Sequence, residues 1–158
     1  GFNHQLLKVA RSINNSMPHY TVSKLVNGLA ALGIDIAGAK IGLLGLSYKA
    51  NVGDMRESPA LEIKKELLKL GADVLCCDPY CNGAAPALID EILSTCVGVI
   101  LATNHHQFID VKEWGAVKII IDGRNCLDMS SIQAQGIVYN GIGRGFSNKP
   151  STLVINEI

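Results

Sequence analysis

The chain has 158 residues, of which 48% are hydrophobic and 18% are charged, with 14 basic and 14 acidic side chains. This length fits one compact domain with a short additional segment and is too short for a complete two-domain enzyme. The hydrophobic content excludes a disordered protein. Because the formal net charge is zero, a broad cationic surface for nucleic acid is not expected, and we predict no nucleic-acid partner.

The longest apolar run covers about residues 97–102, well below the roughly 18 residues that a membrane-spanning helix needs. No charged-then-apolar leader opens the chain, so we expect a soluble protein with no membrane partner. The five cysteines are an odd number at irregular positions, which indicates reduced thiols and a cytoplasmic protein. The first residue is Gly1 rather than methionine, which is compatible with a fragment of a longer protein.

The first 32 residues predict a long helix that ends at Gly33. Proline at position 18 either kinks this helix or begins a second one, since its missing N–H is tolerated in a first turn. Two interpretations stay open: a connector to something outside the chain, or an ordinary packing helix. The apolar residues of the predicted stripe are Phe2, Leu6, Leu7, Ala10, Ile13, Met17, Val22, Leu25, Val26 and Leu29.

From Lys40 the period of the apolar residues changes. Residues 41–46 predict a short buried strand, and a polar loop follows over residues 47–57. The next helix has Ser58 as its N-cap, Pro59 at its first position and Gly71 past its end. Its inner stripe is Ala60, Ile63, Leu67 and Leu70, and its solvated face is Lys64, Lys65, Glu66 and Lys69.

Three further apolar runs predict strands over residues 72–77, 97–102 and 117–122. A capped helix over 86–93 and a polar stretch over 104–114 separate them. A weak last strand over 136–139 precedes a tail, from Phe146, that is an edge segment or partly disordered. Near-continuous apolar strands that alternate with helices predict an α/β fold: a Rossmann-like three-layer sandwich with a mostly parallel sheet, preceded by the long N-terminal helix.

In such sheets, ligands bind beyond the carboxyl ends of the strands. The loop after the first strand, Gly42-Leu-Leu-Gly45-Leu-Ser47, lacks the Gly-x-Gly-x-x-Gly of a dinucleotide site. The acidic residue that follows the second strand, Asp78, comes 33 residues after Gly45, rather than roughly 20 residues later as in that motif. We therefore do not expect a complete NAD site on this chain.

The same loop offers backbone N–H groups, the Lys49 ammonium and the Arg56 guanidinium at a helix N-terminus, which suits a phosphate. The alternative is that both cations pair with Asp54 and Glu57 and staple the loop. Asp122-Gly-Arg124-Asn repeats the arrangement after the fourth strand. Two cations could then meet one diphosphate, with Tyr48 against a base or sugar, so the sequence favours an anionic, nucleotide-like ligand.

Metal binding and nucleophilic catalysis find little support. Cys76 and Cys77 are adjacent on a strand and point to opposite faces, and with Cys81 they form no Cys-x-x-Cys pair. His105-His106 likewise has no metal-ligand spacing. We expect no metal, with ordinary core thiols and a polar loop at these positions.

Residues 40–63 (KIGLLGLSYKANVGDMRESPALEI), followed by Gly71-Ala72, Asp78-Pro79 and the 122–125 turn, resemble the UDP-binding C-terminal domain of the UDP-glucose/GDP-mannose dehydrogenases. Members of that family oxidise the C6 alcohol of a nucleotide sugar in two NAD-dependent steps, through a cysteine thiohemiacetal and thioester. The resemblance implies that residues 1–35 end a central helical dimerisation region and that residues 36–158 form the UDP-sugar-binding domain.

The resemblance also implies site residues. Tyr48 and Lys49 align with the aromatic-lysine pair that holds UDP, Arg124 with an arginine that contacts the substrate, and Arg56 with one that reaches NAD. NAD would be bound mainly by another domain, and the N-terminal helix would form a homodimer. The family's catalytic cysteine motif is absent here, so no catalytic residue is assigned and the chain alone should be inactive.

The substrate implied is a UDP-hexose, either a UDP-N-acetylhexosamine or UDP-glucose. The stretch over residues 51–59 slightly favours members that act on N-acetylhexosamines. The alternative to a dehydrogenase domain is a stand-alone nucleotide- or anion-binding Rossmann-like module without catalysis.

Overall fold

A computed structural model describes residues 4–81 and 83–144 and contains one five-stranded sheet. All neighbouring strands are parallel, in the spatial order β2-β1-β3-β4-β5. The strands are β1 (Lys40–Leu44), β2 (Asp73–Cys77), β3 (Gly98–Leu101), β4 (Ile119–Asp122) and β5 (Val138–Gly141). Since both faces of a parallel sheet are buried, β3 and β4 are apolar and buried almost throughout.

Helices cover both faces of the sheet and complete the three layers. One face carries α1 (Gln5–Ala31) and α2 (Pro59–Lys69), and its hydrophobic core includes Leu43 and Ile100. The other face carries α3 (Ile89–Thr95), α4 (His106–Ile109) and α5 (Met129–Ala134) around Leu44 and Leu101. The predicted Rossmann-like sandwich with a long N-terminal helix is confirmed.

The N-terminal segment is one continuous helix that contains Pro18, and not two helices. The predicted apolar stripe is correct only for its second half, where Val22, Leu25 and Leu29 are buried against the sheet. In the first half, Leu6 and Ile13 are 82% and 60% exposed. The described part of α1 is therefore a packing helix at one end and an exposed apolar helix at the other. Phe2 lies outside the described residues.

The helix α2 begins and ends where the sequence predicts. The Ser58 hydroxyl accepts a hydrogen bond from the Ala60 N–H at 3.3 Å, and Pro59 occupies the first helical position. Ala60, Ile63 and Leu67 are buried, as predicted. Leu70 was wrongly assigned to the inner stripe: it is the C-cap residue and is 40% exposed, because the helical period ends before it.

The predictions for the second half of the chain need correction. The helix predicted over 86–93 occupies Ile89–Thr95 and has no side-chain cap. It begins later than predicted because Pro86 and Ala87 run beside β2, where the Ala87 N–H donates to the Cys76 carbonyl at 3.1 Å. The stretch over 104–114 contains the single turn α4, and its Trp114 is buried.

The sequence analysis missed α5, although Asp128 caps it by accepting the Ser130 N–H at 3.0 Å. The last strand begins at Val138 and not at Gly136, because Gly136 takes a left-handed turn directly after α5. The predicted tail from Phe146 lies outside the described residues. Within residues 4–81 and 83–144, every helix falls short of the length and apolarity of one that crosses a bilayer.

At Gly45, directly after β1, the chain lies very close to Thr103 in the loop after β3. The φ of Gly45 is +86°, and a Cβ there would lie 2.5 Å from the Cβ and 2.9 Å from the backbone N and O of Thr103. We expect Gly45→Ala to lower the free energy of unfolding by about 2 to 5 kcal/mol, from left-handed strain plus overpacking. Urea unfolding measures this.

The matched control is Gly33→Ala, since Gly33 has a similar φ of +73° but nothing within 4 Å of the added Cβ. It should lose only the strain of about 1 to 2 kcal/mol. Equal losses in the two variants would mean that contact with Thr103 does not constrain Gly45.

Candidate functional site

The order of the strands reverses at β1. The chain passes from β1 to β2 on one side and then returns to β3 on the other side of β1. In open α/β sheets, ligands bind at the carboxyl ends of the strands beside such a reversal. The loop after β1, residues 45–57, starts at this point and is called the first loop below.

A buried carboxylate organises the beginning of the first loop. The Oδ2 atom of Asp78, just after β2, accepts the N–H groups of Leu46 and Ser47 at 2.8 Å each and the Ser47 hydroxyl at 2.7 Å. Its Oδ1 atom accepts the Tyr80 N–H at 2.9 Å. Burial alone raises the pKa of the Asp78 carboxyl, but these hydrogen bonds together hold that pKa below its usual value.

This arrangement corrects one prediction. The N–H groups of Leu46 and Ser47 donate to Asp78 and are not offered to a phosphate. A dinucleotide site of the usual kind needs the backbone N–H groups of this turn for its pyrophosphate. These two N–H groups are therefore not free to bind a pyrophosphate.

Two residues after β3 hold the same loop from the other side. The Thr103 hydroxyl donates to the Ser47 carbonyl at 2.5 Å. The Nδ1 atom of His105 accepts the Asn51 N–H at 2.8 Å, so the proton is on Nε2, which lies 3.2 Å from Oδ2 of Asp78. Sequence analysis treated His105 as part of a polar loop, but its side chain is fully buried.

Tyr48 and Arg124 line two neighbouring cavities between α1, the start of α2 and the carboxyl edge of the sheet. Tyr48 is 50% exposed and borders a cavity of about 660 Å³. Arg124 and Gly123 border one of about 200 Å³, with the end of β3 as its floor. Both cavities share a wall, named here the α1–α2 groove, which consists of Asn14, Pro18, Ser58 and Pro59.

The other two predicted cations lie outside these cavities. Lys49 is exposed, and none of the carboxylates in the described ranges lies within ion-pair distance of it, so the pairing alternative fails for Lys49. For Arg56 that alternative is correct. Its Nε and Nη2 atoms donate to the two Asp54 oxygens at 2.9 and 2.7 Å, which lowers the pKa of Asp54 to about 2.

The turn that carries Arg124 is built around a second buried aspartate. Asp122, at the end of β4, accepts the N–H groups of Arg124 and Leu127 and the Tyr139 hydroxyl, each at 2.9 Å. Burial, and then this bond to Asp122, raises the pKa of Tyr139. The Arg124 Nε donates to the Ala102 carbonyl at 2.7 Å, so the guanidinium is held beside the end of β3.

Sequence analysis missed the part of the groove that α1 and the start of α2 supply. Helical spacing of i, i+3, i+4 and i+7 places Arg11, Asn14, Asn15 and Pro18 on one face of α1, and all four border the larger cavity. The signal was the presence of polar residues inside an apolar helix, where the sequence analysis considered only the effect of Pro18 on the helix. Glu57 also borders this cavity and has a φ of 56°, which is unusual for a residue with a side chain.

The cysteines and histidines form no metal site within residues 4–81 and 83–144. All five cysteines are unpaired thiols. Burial, followed by the nearby Asp122 charge, raises the pKa of Cys126 to about 11, and burial likewise raises that of Cys77 to about 11. A thiol with such a pKa carries little thiolate at neutral pH and is a poor nucleophile.

Comparison with known proteins matches residues 42–129 to the UDP binding domain of the UDP-glucose/GDP-mannose dehydrogenase family. A UDP-N-acetyl-D-mannosamine dehydrogenase of Pyrococcus horikoshii is 34% identical over 89% of this chain and 34% of its own length. A UDP-glucose 6-dehydrogenase of Bacillus subtilis is 31% identical over 91% of this chain and 34% of its own length. The chain thus spans about a third of these curated relatives.

Among solved structures, the fold is similar to an NDP-N-acetyl-D-galactosaminuronic acid dehydrogenase from Methanosarcina mazei. The TM-score is 0.82 and the sequence identity 26%, and the likeness covers 91% of this chain and 33% of that one.

The lowered pKa of Asp78 predicts how stability depends on pH. Because the folded-state pKa lies below the unfolded one, the ionised carboxylate stabilises the fold above about pH 4, and this contribution is lost as pH falls through the folded-state pKa. Asp78→Asn should cost about 1.5 to 3 kcal/mol at pH 7 and lose less stability than wild type between pH 7 and pH 3. Urea unfolding at both pH values measures this.

The control is Asp110→Asn, an exposed carboxylate at the end of α4, which should change the free energy of unfolding by less than about 0.5 kcal/mol. If Asp78→Asn lost as much stability on acidification as wild type, Asp78 would not be the group that titrates.

Proposed function

The chain belongs to the UDP-glucose/GDP-mannose dehydrogenase family, and from that premise we propose that it binds the UDP part of a nucleotide sugar along the α1–α2 groove. The observation that carries this proposal is the pair of neighbouring cavities at the carboxyl edge of the sheet, with Tyr48 at one and Arg124 at the other. Ligands of open α/β sheets bind at this edge.

Three side chains supply the chemistry for UDP. The half-exposed ring of Tyr48 offers a face on which a base or ribose can stack. The ammonium of Lys49, which has no carboxylate partner among residues 4–81 and 83–144, is available to a phosphate. Arg124 is already oriented by its bond to Ala102 and keeps further guanidinium donors for the substrate. Because Leu46 and Ser47 donate to Asp78, the first loop binds the diphosphate through side chains and not through those N–H groups.

We further propose that the complete protein oxidises the C6 alcohol of a UDP-hexose to the uronate. NAD is held mainly by protein outside this chain, in keeping with the poor fit of the first loop to a dinucleotide. Arg56 reaches that NAD by leaving its ion pair with Asp54. This costs little, because exposed ion pairs contribute little to stability. This chain alone binds without catalysis, because its cysteines are buried or carry a raised pKa.

The sugar is proposed to be a UDP-N-acetylhexosamine or glucose. The UDP-N-acetyl-D-mannosamine dehydrogenase of Pyrococcus horikoshii supports the first, and the UDP-glucose 6-dehydrogenase of Bacillus subtilis supports the second. The five unpaired thiols support a cytoplasmic location, where the compartment keeps thiols reduced.

A homodimer through the first half of α1, within the predicted 1–35 region, is also proposed. Leu6, Leu7, Val9 and Ile13 are all more than half exposed on this helix, which is unusual for large apolar side chains unless another surface covers them. The second half of α1 belongs to the core, so the dimer contact is confined to the exposed half.

Lys49→Ala should weaken UDP binding roughly 10- to 150-fold, the range expected for loss of a hydrogen bond to a charged group. Isothermal titration calorimetry with UDP measures this, and the dependence of affinity on salt should become weaker in the variant because one cation is lost. Lys118→Ala is the matched control, since Lys118 is exposed at the opposite, amino end of β4. Equal affinities of wild type and Lys49→Ala would remove Lys49 from the phosphate site.

Replacing both Leu6 and Ile13 by Glu should convert a dimer into a monomer in sedimentation velocity, because two charges would enter the apolar contact. Thermal unfolding should stay cooperative, since both side chains are exposed within the chain. Leu88→Glu is the control: Leu88 is 72% exposed but lies outside α1. A dimer that persists in the double variant would contradict the proposed interface.

A further inference from the structure

The side chains of Asp78 and His105 are buried, hydrogen-bonded to one another and joined to the first loop at separate points. We propose that Asp78 and His105 are positioning residues, which hold the first loop in the conformation that presents Tyr48 and Lys49 to the diphosphate. This inference rests on the proposed function and adds the residues that act on UDP indirectly.

The geometry places Tyr48 and Lys49 between two fixed points of the loop. On one side, Asp78 accepts three hydrogen bonds from Leu46 and Ser47. On the other side, the Asn51 N–H donates to His105 at 2.8 Å. Only Lys49 and Ala50 separate Tyr48 from Asn51, and the Tyr48 N–H also donates to the Asp54 carbonyl at 2.7 Å. The position of the Lys49 backbone follows from these attachments.

Hydrophobic burial contributes little to holding this loop, although the side chain of Met55 packs, partly buried, against the core. From Tyr48 to Glu57 the loop is exposed or partly exposed throughout, and Val52 is 51% exposed. Asn51 takes a φ of 61°, which costs backbone energy even for asparagine. Segments with few buried apolar contacts open at low free energy, so the order of this loop depends on its polar anchors.

Both anchors are packed inside the protein. The imidazole of His105 lies between two rings, with its centroid 5.0 Å from that of Tyr80 and 5.4 Å from that of Phe108. Asp78 is 1% exposed, and both of its carboxylate oxygens accept hydrogen bonds from the protein. Because the donor and acceptor of His105 are both engaged, its two contacts can be removed separately by substitution.

His105→Gln keeps an N–H donor near the position of Nε2 for Asp78 but removes the acceptor for the Asn51 N–H. His105→Asn does the opposite: it keeps an acceptor near the position of Nδ1 for Asn51 but removes the donor to Asp78. When only a fraction of molecules has the competent loop, the apparent dissociation constant rises by the inverse of that fraction. We expect His105→Gln to weaken UDP binding roughly 5- to 30-fold and His105→Asn to restore most of the affinity. His106→Asn, at the exposed neighbouring histidine, is the control.

Two readouts separate positioning from general structural damage. Amide hydrogen exchange without UDP should show faster exchange at Asn51 in His105→Gln, while β1, β3 and β4 keep their wild-type protection. In a double-mutant cycle, the effect of His105→Gln on UDP affinity should shrink when Lys49 is already alanine, because His105 acts through Lys49.

Unchanged UDP affinity in His105→Gln, or fully additive effects in the cycle, would overturn the inference. A wild-type chain that does not bind UDP would instead overturn the proposed function. In that case the exchange rates still decide whether His105 holds the loop: equal rates at Asn51 in wild type and His105→Gln would show that it does not.

Discussion

A carboxylate that is cut off from water must find hydrogen-bond donors within the protein, and Asp78 finds them in the loop that follows the neighbouring strand. Four donors converge on its Oδ2 atom: two N–H groups, the Ser47 hydroxyl and the His105 ring. The end of β2 thereby fixes the start of the loop after β1. Since His105 follows β3, three adjacent strand ends are tied together around one buried charge.

Asp122 is a second buried carboxylate that organises a turn, on the other side of β3. It is buried at the end of β4 and folds the turn that carries Arg124, through bonds to backbone N–H groups and to Tyr139. Parallel pairing brings the carboxyl ends of all five strands to one edge, so the two aspartates support the two sides of the same groove. Buried acids accept the backbone N–H groups of both loops, and the exposed side chains of Tyr48, Lys49 and Arg124 are those that we propose for the ligand.

Local signals and apolar runs were enough to predict the parallel sheet, the bounds of α2 and the loops at the carboxyl edge. The capping pattern of Ser58 and Pro59 acts over a few residues, so it is visible in the sequence. The use of the Leu46 N–H by Asp78 joins residues 32 positions apart, and the Asn51 bond to His105 joins residues 54 apart. No periodicity encodes such contacts. The groove wall at Asn14 was missed for the same reason, because it depends on how α1 crosses the sheet.

We propose that the carboxyl edge between Tyr48 and Arg124 binds UDP. Titration of the ¹⁵N-labelled chain with UDP, followed by amide NMR, tests it most directly because each loop reports separately. UDP bound at this edge should give saturable shifts at Tyr48, Lys49 and Arg124 and leave Lys118, at the opposite edge, unmoved. Signals at those three residues that stay in place at millimolar UDP would contradict it.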